Sequence, residues 1–270
     1  MMDVAIVEIL VIGNEVLAGD VLDTNSHWLS QQLVAHGARV QRITVLPDVI
    51  ETIAEAVSAT LARQPALILT CGGLGPTADD LTLAAVALAL GRPMAQDPMA
   101  YGMVRDLYER LYALGDVTTA EITPARAKMA RLPAGAEPLP NTVGAAPGVL
   151  IVQGPTRIAC LPGVPAEMKD IFTHALWPRL AARLSGVAYA ERVVRTACWD
   201  ESILAPAVDA VAARHPHVYV KSRAQVYGSG EADFVTLAAR AASEAEVKAL
   251  LDSAEADLRQ ALAEVGVKVV

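Results

Sequence analysis

Leu69-Thr70-Cys71-Gly72-Gly73-Leu74-Gly75-Pro76-Thr77-Ala78-Asp79-Asp80-Leu81-Thr82 joins two apolar runs through a loop of a different character. Before it, Pro65-Ala66-Leu67-Ile68-Leu69 reads as a buried strand, and after it Leu81 to Leu90 reads as an apolar helix. The loop carries three glycines and then two adjacent carboxylates, Asp79 and Asp80. Gly72, Gly73 and Gly75 leave main-chain N–H groups free to turn toward an anion, and the N-terminus of the following helix adds partial positive charge. Two aspartates repel a phosphate unless a cation lies between, so the pairing points to a metal-bridged phosphate site. A second reading stays open, in which Asp79 or Asp80 merely caps the helix.

Outward from this loop the chain alternates strand and helix. Residues 7–12 read as a buried strand ending at Gly13-Asn14-Glu15, and a helix opens near Asp23-Thr24-Asn25 with Trp28, Leu29 and Leu33 on one face. Residues 38–46 form a second strand. Pro47-Asp48 then starts a helix whose stripe is Ile50, Ile53, Ala54, Val57 and Leu61. This alternation predicts a parallel sheet covered on both faces, with ligands at the carboxyl ends of its strands. Glu15, Asp48 and the 71–80 loop then share one rim.

Beyond the loop, residues 97–114 predict a long amphipathic helix, and the Pro- and Gly-rich stretch 115–147 an ordered excursion or flap. Residues 149–152 and 157–161 read as strands joined at Gly154-Pro155. A helix follows from Pro165 to about Leu184, with Gly163 again placed to offer an amide to an anion. From residue 185 the pattern changes to a strand at 193–199, a helix at 201–214 containing Pro206, and strands at 217–222 and 233–239. Ser243-Glu244-Ala245-Glu246 is a capping box for a last helix. Gly228-Ser229-Gly230 reads as a hairpin turn. The expected organisation is therefore an α/β domain over 1–184 and a small β-α-β-β-α domain over 185–270.

Composition narrows the function. The 270 residues are 53% apolar, only 4% aromatic, and carry a net charge of −8, which argues against nucleic-acid and anionic-membrane partners. The three cysteines are scattered, indicating neither a disulfide framework nor a zinc site, and the five histidines show no zinc-hydrolase spacing. Met1-Met2-Asp3 lacks a basic leader region and no run reaches membrane-span length, so a cytoplasmic, soluble protein is expected. Asn25 either caps its helix or reaches the ligand. Cys71 has no basic partner to make it a nucleophile, and Lys169 and Arg126 read by default as surface cations.

Four blocks then stand in order: Gly13-Asn14-Glu15 with Gly19 and Asp23-Thr24-Asn25; Gly72 through Asp80; Asn141-Thr142-Val143-Gly144-Ala145-Ala146-Pro147-Gly148; and Leu161-Pro162-Gly163-Val164-Pro165-Ala166-Glu167-Met168. Together they resemble the MoaB/Mog-like molybdopterin-binding domain family, and more closely the N-terminal region of the CinA (competence/damage-inducible) family. The resemblance implies a three-layer α/β/α molybdopterin-binding-like domain followed by a small α+β KH-like domain. The nicotinamide-nucleotide deamidase region that often follows in CinA proteins is not expected in these residues. The RNA-clamping Gly-x-x-Gly of KH domains is not evident. Departures from the family pattern are Asn14, Cys71 and Ala145.

Proteins of the CinA type hydrolyse ADP-ribose to AMP and ribose 5-phosphate with a divalent metal, whereas MoaB/Mog relatives adenylylate or metallate a pterin phosphate. Carried onto this chain, the resemblance implies catalytic roles for Asp80, Asp48 and Glu15, and these three together with Asp79 are the expected ligands of Mg²⁺, Mn²⁺ or Co²⁺. Gly72, Gly73, Gly75, Thr77, Asn25, Gly163 and Pro165 would surround the ligand. The leading expectation is a metal-dependent ADP-ribose pyrophosphatase. The alternatives are a molybdopterin-binding or adenylyl- or molybdenum-transfer protein, and a non-catalytic nucleotide-sensing module. Expected partners are a small nucleotide or pterin ligand and a second copy of the chain, with no nucleic acid and no membrane.

Overall fold

Along β1 (Ile6–Ile12), Val7, Ile9 and Val11 pack into one hydrophobic cluster and Leu10 and Ile12 into another, all five buried. A strand buried on both faces belongs inside a sheet with a helical layer on each side. The computed structural model describes residues 4–184, 186–226 and 231–270, so Met1-Met2-Asp3 and the expected Gly228-Ser229-Gly230 turn lie outside the described residues. After β1 come α1 (Asn14–Leu17), α2 (Thr24–Ala35), β2 (Arg39–Leu46), α3 (Ile50–Ala62), β3 (Leu67–Cys71) and α4 (Thr82–Leu90). The 91–147 stretch holds β4 (Met94–Gln96), α5 (Pro98–Leu114), α6 (Pro124–Lys128), β5 (Arg131–Pro133) and β6 (Glu137–Leu139). Then follow β7 (Gly148–Gln153), β8 (Thr156–Leu161), α7 (Pro165–Asp170), a π-helical stretch Ile171–Leu176 and α8 (Trp177–Leu184).

Among the described residues these strands form a six-stranded sheet in the order β2-β1-β3-β8-β7-β6. β2, β1, β3 and β8 run parallel, but β7 pairs antiparallel with β8, and β6 antiparallel with β7. The sheet is therefore mixed, not all parallel. The reason is the short turn at Gly154-Pro155: a connection that tight makes a hairpin, whereas a parallel crossover needs a dozen or more residues. The expected flap is also partly regular, since β6 extends the sheet and β5 pairs with β4.

One face of the sheet is covered by α3, α4 and α5, and the other by α2 and the helical stretch from Met168 to Leu184. The three-layer expectation thus holds. Each fully buried Leu or Ile, such as Ile9, Leu29, Ile53 or Ile158, stabilises the fold by roughly 1.5–3 kcal/mol. Helix ends follow local rules. Gly91 closes α4 in the left-handed region at φ 61°, and the Asp97 carboxylate accepts from Ala100 N–H at 2.8 Å to open α5. On β1, Glu8 is a buried charge, 1% exposed, and takes two bonds from Arg63, from Nε at 2.8 Å and Nη2 at 2.6 Å.

The chain divides into two compact units, and the smaller is built on Ser185–Val270. It shows the expected β-α-β-β-α order: β9 (Ala188–Arg195), α9 (Glu201–Arg214), β10 (Val218–Arg223), β11 (Phe234–Ala241) and α10 (Glu244–Glu264). Among the described residues its sheet is antiparallel, in the order β10-β11-β9. Ser243 Oγ accepts from Glu246 N–H at 3.2 Å, and Glu246 Oε2 accepts from Ala242 N–H at 3.1 Å, so the capping box forms with its return bond one residue early. β9 corrects the 193–199 expectation. It pairs in regular register with β11 from Ala188 to Arg195, beyond which Thr196 and Cys198 still bond Asp233 irregularly while Thr196 and Ala197 meet Val269 and Lys268 on the other side. No helix among the described residues is long and apolar enough to cross a membrane.

Candidate functional site

The carboxyl ends of β1, β2, β3 and β8 open onto one cavity of about 410 Å³. Just beyond β1 come Gly13 and, in α1, Glu15, beyond the end of β2 Asp48, from the loop after β3 Gly72, Gly73, Gly75, Asp79 and Asp80, and from the loop after β8 Gly163. Glu15, Asp48, Asp80 and Asp79, expected on one rim, do line one wall system. Gly72, Gly73, Gly75 and Gly163 line it too.

Backbone geometry explains the glycines. At Gly72, φ is 109°, and a Cβ would overlap the Ile12 carbonyl oxygen. The strand ends therefore approach each other through this residue. A Cβ on Gly75 would stand 2.6 Å from Asp80 Oδ2, so that glycine makes room for the carboxylate. Thr82 ties the helix start to the loop, its hydroxyl donating to the Gly72 carbonyl at 2.8 Å and its N–H to the Gly73 carbonyl at 3.2 Å.

The two aspartates do not cap α4, whose N-cap is Leu81 with no side-chain bond. They turn instead to Thr77. Its N–H donates to Asp80 Oδ2 at 2.8 Å, and its hydroxyl lies 2.6 Å from that oxygen and 2.5 Å from Asp79 Oδ1. Bonding to Thr77 holds the Asp79 carboxyl below the ordinary carboxylate value. Asp48 Oδ2 accepts from Asn14 N–H at 2.8 Å, and the Glu15 carboxylate folds back over Gly13. Among the described residues no three His, Cys, Asp or Glu side chains converge closely enough to enclose a metal ion by themselves. The four carboxylates share a cavity but not a ready-made cage, because each is steered by a local partner. Ions such as Mg²⁺ routinely take substrate and water oxygens for the remaining positions, so the donor types fit a cation shared with a phosphate.

Three residues expected around the ligand stand outside the cavity wall. Thr77 acts on the aspartates rather than on the space itself. Asn25 neither caps α2 nor lines the cavity: Asp23 Oδ1 accepts from Ser26 N–H at 2.9 Å as the cap, while Asn25 Nδ2 donates to the Gly163 carbonyl at 2.7 Å and lies 3.3 Å from Cys71 Sγ. Asn25 thus anchors the Gly163 loop. Pro165 is the first residue of α7, and it is Val164 beside it that faces the cavity. Cys71 belongs to the end of β3 and not to the loop, because the strand runs to its pairing with Val11 and Leu161. Burial pushes its thiol up to about 12, against the Asn25 bond, which leaves it inert as a nucleophile. Arg126 lies 3.7 Å over the Tyr108 ring and donates to the Thr119 and Glu121 carbonyls, a structural role.

Sequence reasoning assigned no role to Glu167. It lines the cavity, half-buried, and its Oε2 accepts from Asn141 Nδ2 at 2.7 Å. Burial raises its pKa above 4.5, partly offset by that bond. The available signal was the presence of Asn141 and Glu167 in two of the four ordered blocks.

Residues 8–182 match a family described as a probable molybdopterin binding domain. An Aeropyrum pernix protein is 40% identical over 96% of this chain and 94% of its own length. A Thermococcus kodakarensis protein is 42% identical over 74% of this chain and 78% of its own. Among solved structures, a CinA protein of unknown function from Thermoplasma acidophilum is 31% identical, covers 67% of this chain and 98% of that chain, and superposes with a TM-score of 0.58. These findings overturn ADP-ribose hydrolysis as the leading reading. The span that bears the site, residues 8–182, matches a family described as a probable molybdopterin binding domain. The molybdopterin alternative fits better. With residues 8–182, well over half of its length, matched to this family, the chain belongs to the probable molybdopterin-binding domain family.

Proposed function

We propose that the larger unit binds a phosphorylated pterin in the rim cavity, together with a divalent cation such as Mg²⁺, Mn²⁺ or Co²⁺. One observation carries this reading. The cavity offers main-chain amides at Gly73 and Gly75 alongside five carboxylates, from Glu15, Asp48, Asp79, Asp80 and Glu167, and no Lys or Arg among the described residues lining it; the Gly72 N–H, expected to face the anion, is taken instead by the Leu161 carbonyl at 3.0 Å. An anion settles beside that much negative charge only when a cation stands between. Asp80, Asp48 and Glu15 are the donors we assign to the ion, with Asp79 adjacent. When bound, such an ion polarises a phosphoryl oxygen. The chain's own part is to hold: the Gly73 and Gly75 amides take phosphate oxygens, Thr77 orients the aspartates, and Asn25 fixes the Gly163 loop opposite.

The test is titration with 6-hydroxymethylpterin monophosphate, followed by quenching of the pterin's own fluorescence, with Mg²⁺ and with EDTA. We expect binding in Mg²⁺ that weakens by roughly tenfold or more with EDTA or in Asp80→Asn. Binding of AMP but not of the pterin phosphate would remove the proposal.

A further inference from the structure

Glu167 is placed with unusual care for a residue in the first turn of a helix. Asn141, which fixes it, has its own amide orientation set by four bonds. Its Oδ1 accepts from Val143 N–H at 3.1 Å and Gly144 N–H at 2.8 Å, so its Nδ2 must face Ala146 O at 2.8 Å and Glu167 Oε2 at 2.7 Å. The carboxyl lies over Gly144 so closely that a Cβ there would overlap it. Two segments 26 residues apart thus hold one carboxylate at the cavity wall.

That carboxylate is under-satisfied. Half-buried, with Asn141 as its hydrogen-bond donor among the described residues, it retains acceptor capacity on both oxygens. Burial without donors is costly, and the raised pKa reports that cost. A ligand supplying two parallel N–H groups relieves it. The surrounding wall, Ala145, Ala146, Met129 and Val164, is small and apolar, suited to a flat ring rather than to a hydrated sugar.

We propose that Glu167, held by Asn141, is the specificity-determining acceptor that recognises the amino-pyrimidinone edge of the pterin. This rests on the pterin-phosphate reading above and adds which part of the ligand lies where. A 2-amino-4-oxo ring presents its ring N–H and amino N–H side by side, matching the paired oxygens of a carboxylate. Adenine presents a donor beside an acceptor on its pairing edge and cannot make both bonds. The ring therefore lies along Glu167, with the phosphate toward the glycine amides.

The experiment compares 6-hydroxymethylpterin monophosphate with the lumazine analogue, whose 2-amino group is replaced by oxygen, in Mg²⁺. The wild type is expected to prefer the pterin by roughly ten- to a hundredfold. In Glu167→Gln, which keeps the side-chain shape and the acceptor for Asn141, that preference disappears or reverses, because an amide can donate to the 2-oxo group. A merely structural role would weaken both ligands equally. Equal wild-type affinity for the two ligands, or a preference kept by Glu167→Gln, overturns the inference while leaving the pterin-phosphate site standing. A wild type that binds neither ligand overturns that site reading, and this inference with it.

Discussion

Thr77 donates twice to one oxygen of Asp80, from its N–H at 2.8 Å and from its hydroxyl at 2.6 Å, and the same hydroxyl lies 2.5 Å from Asp79 Oδ1. A hydroxyl has one proton and can serve one carboxylate at a time. The other carboxylate is left facing an oxygen lone pair, a crowding that a cation would relieve. Thr77→Val keeps the shape and the N–H but removes the hydroxyl. We expect Mg²⁺-dependent ligand affinity to fall by roughly three- to tenfold. Because Thr77 is exposed, stability in urea should change by less than about 0.5 kcal/mol. Unchanged affinity would mean the hydroxyl is idle.

Gly72 and Gly75 should separate fold from ligand. Gly72→Ala puts a Cβ against the Ile12 carbonyl at a positive φ, and neither backbone can yield cheaply. A loss of about 2 kcal/mol or more in urea unfolding is expected. Gly75→Ala meets only the Asp80 carboxylate. Its stability should stay near wild type while ligand binding drops, as read in the same fluorescence titration.

Arg63 supports the buried Glu8 from the end of α3, and Glu8 is 1% exposed. Arg63→Met strands that carboxylate and should destabilise the protein by about 2–3 kcal/mol, at the low end for a broken buried pair because Arg63 itself is partly solvated. Combining it with Glu8→Gln should recover much of the loss, since an amide costs less to bury alone. A double-mutant cycle in urea measures the coupling.

Glu167 makes stability depend on pH in a stated direction. Its folded pKa lies above the ordinary 4.5, so folding favours the protonated form. The stabilisation from that proton is fully present below about pH 4.5 and is lost as pH rises through the folded value. Glu167→Gln, neutral at every pH, should melt higher than wild type at pH 7–8 and converge with it near pH 4. Thermal melts across that range give the answer, and a wild type that stays the more stable at neutral pH would contradict it.

Much of the fold was legible because periodicity and punctuation agreed. The stripe Ile53, Ala54 and Val57, the stop at Gly91, the capping box at Ser243 and the 201–214 helix all speak locally. Misplacements came where a distant partner decided. β3 extends to Cys71 because Leu161 pairs with it, and β9 begins at Ala188 because β11 is long enough to meet it. Glu191 on the outer face of β9, and Arg192 on the inner face where it pairs with Asp252 and Glu255 of α10, disguised that strand. The site was legible in its glycines and aspartates, which lie close in sequence. Glu167 and Asn141 were not, since their meaning arises only when two remote segments meet.

The π-helical stretch Ile171–Leu176 has a consequence for how this helix can vary. Each turn there takes up more chain than an α-turn, and Pro178, lacking an N–H for the carbonyl four residues back, follows at once. Upstream the helix directs Glu167 to the cavity, and downstream it sends Leu180 and Leu184 into the core. Deleting one residue from the stretch would restore a regular spiral with its two ends in nearly the same rotational register, whereas deleting one from the α-helical turns on either side would twist them by about 100°. A deletion in those flanking turns would swing the carboxylate out or bring the two leucines to the surface, so the wide turn is the one place where this rod can absorb a change in length.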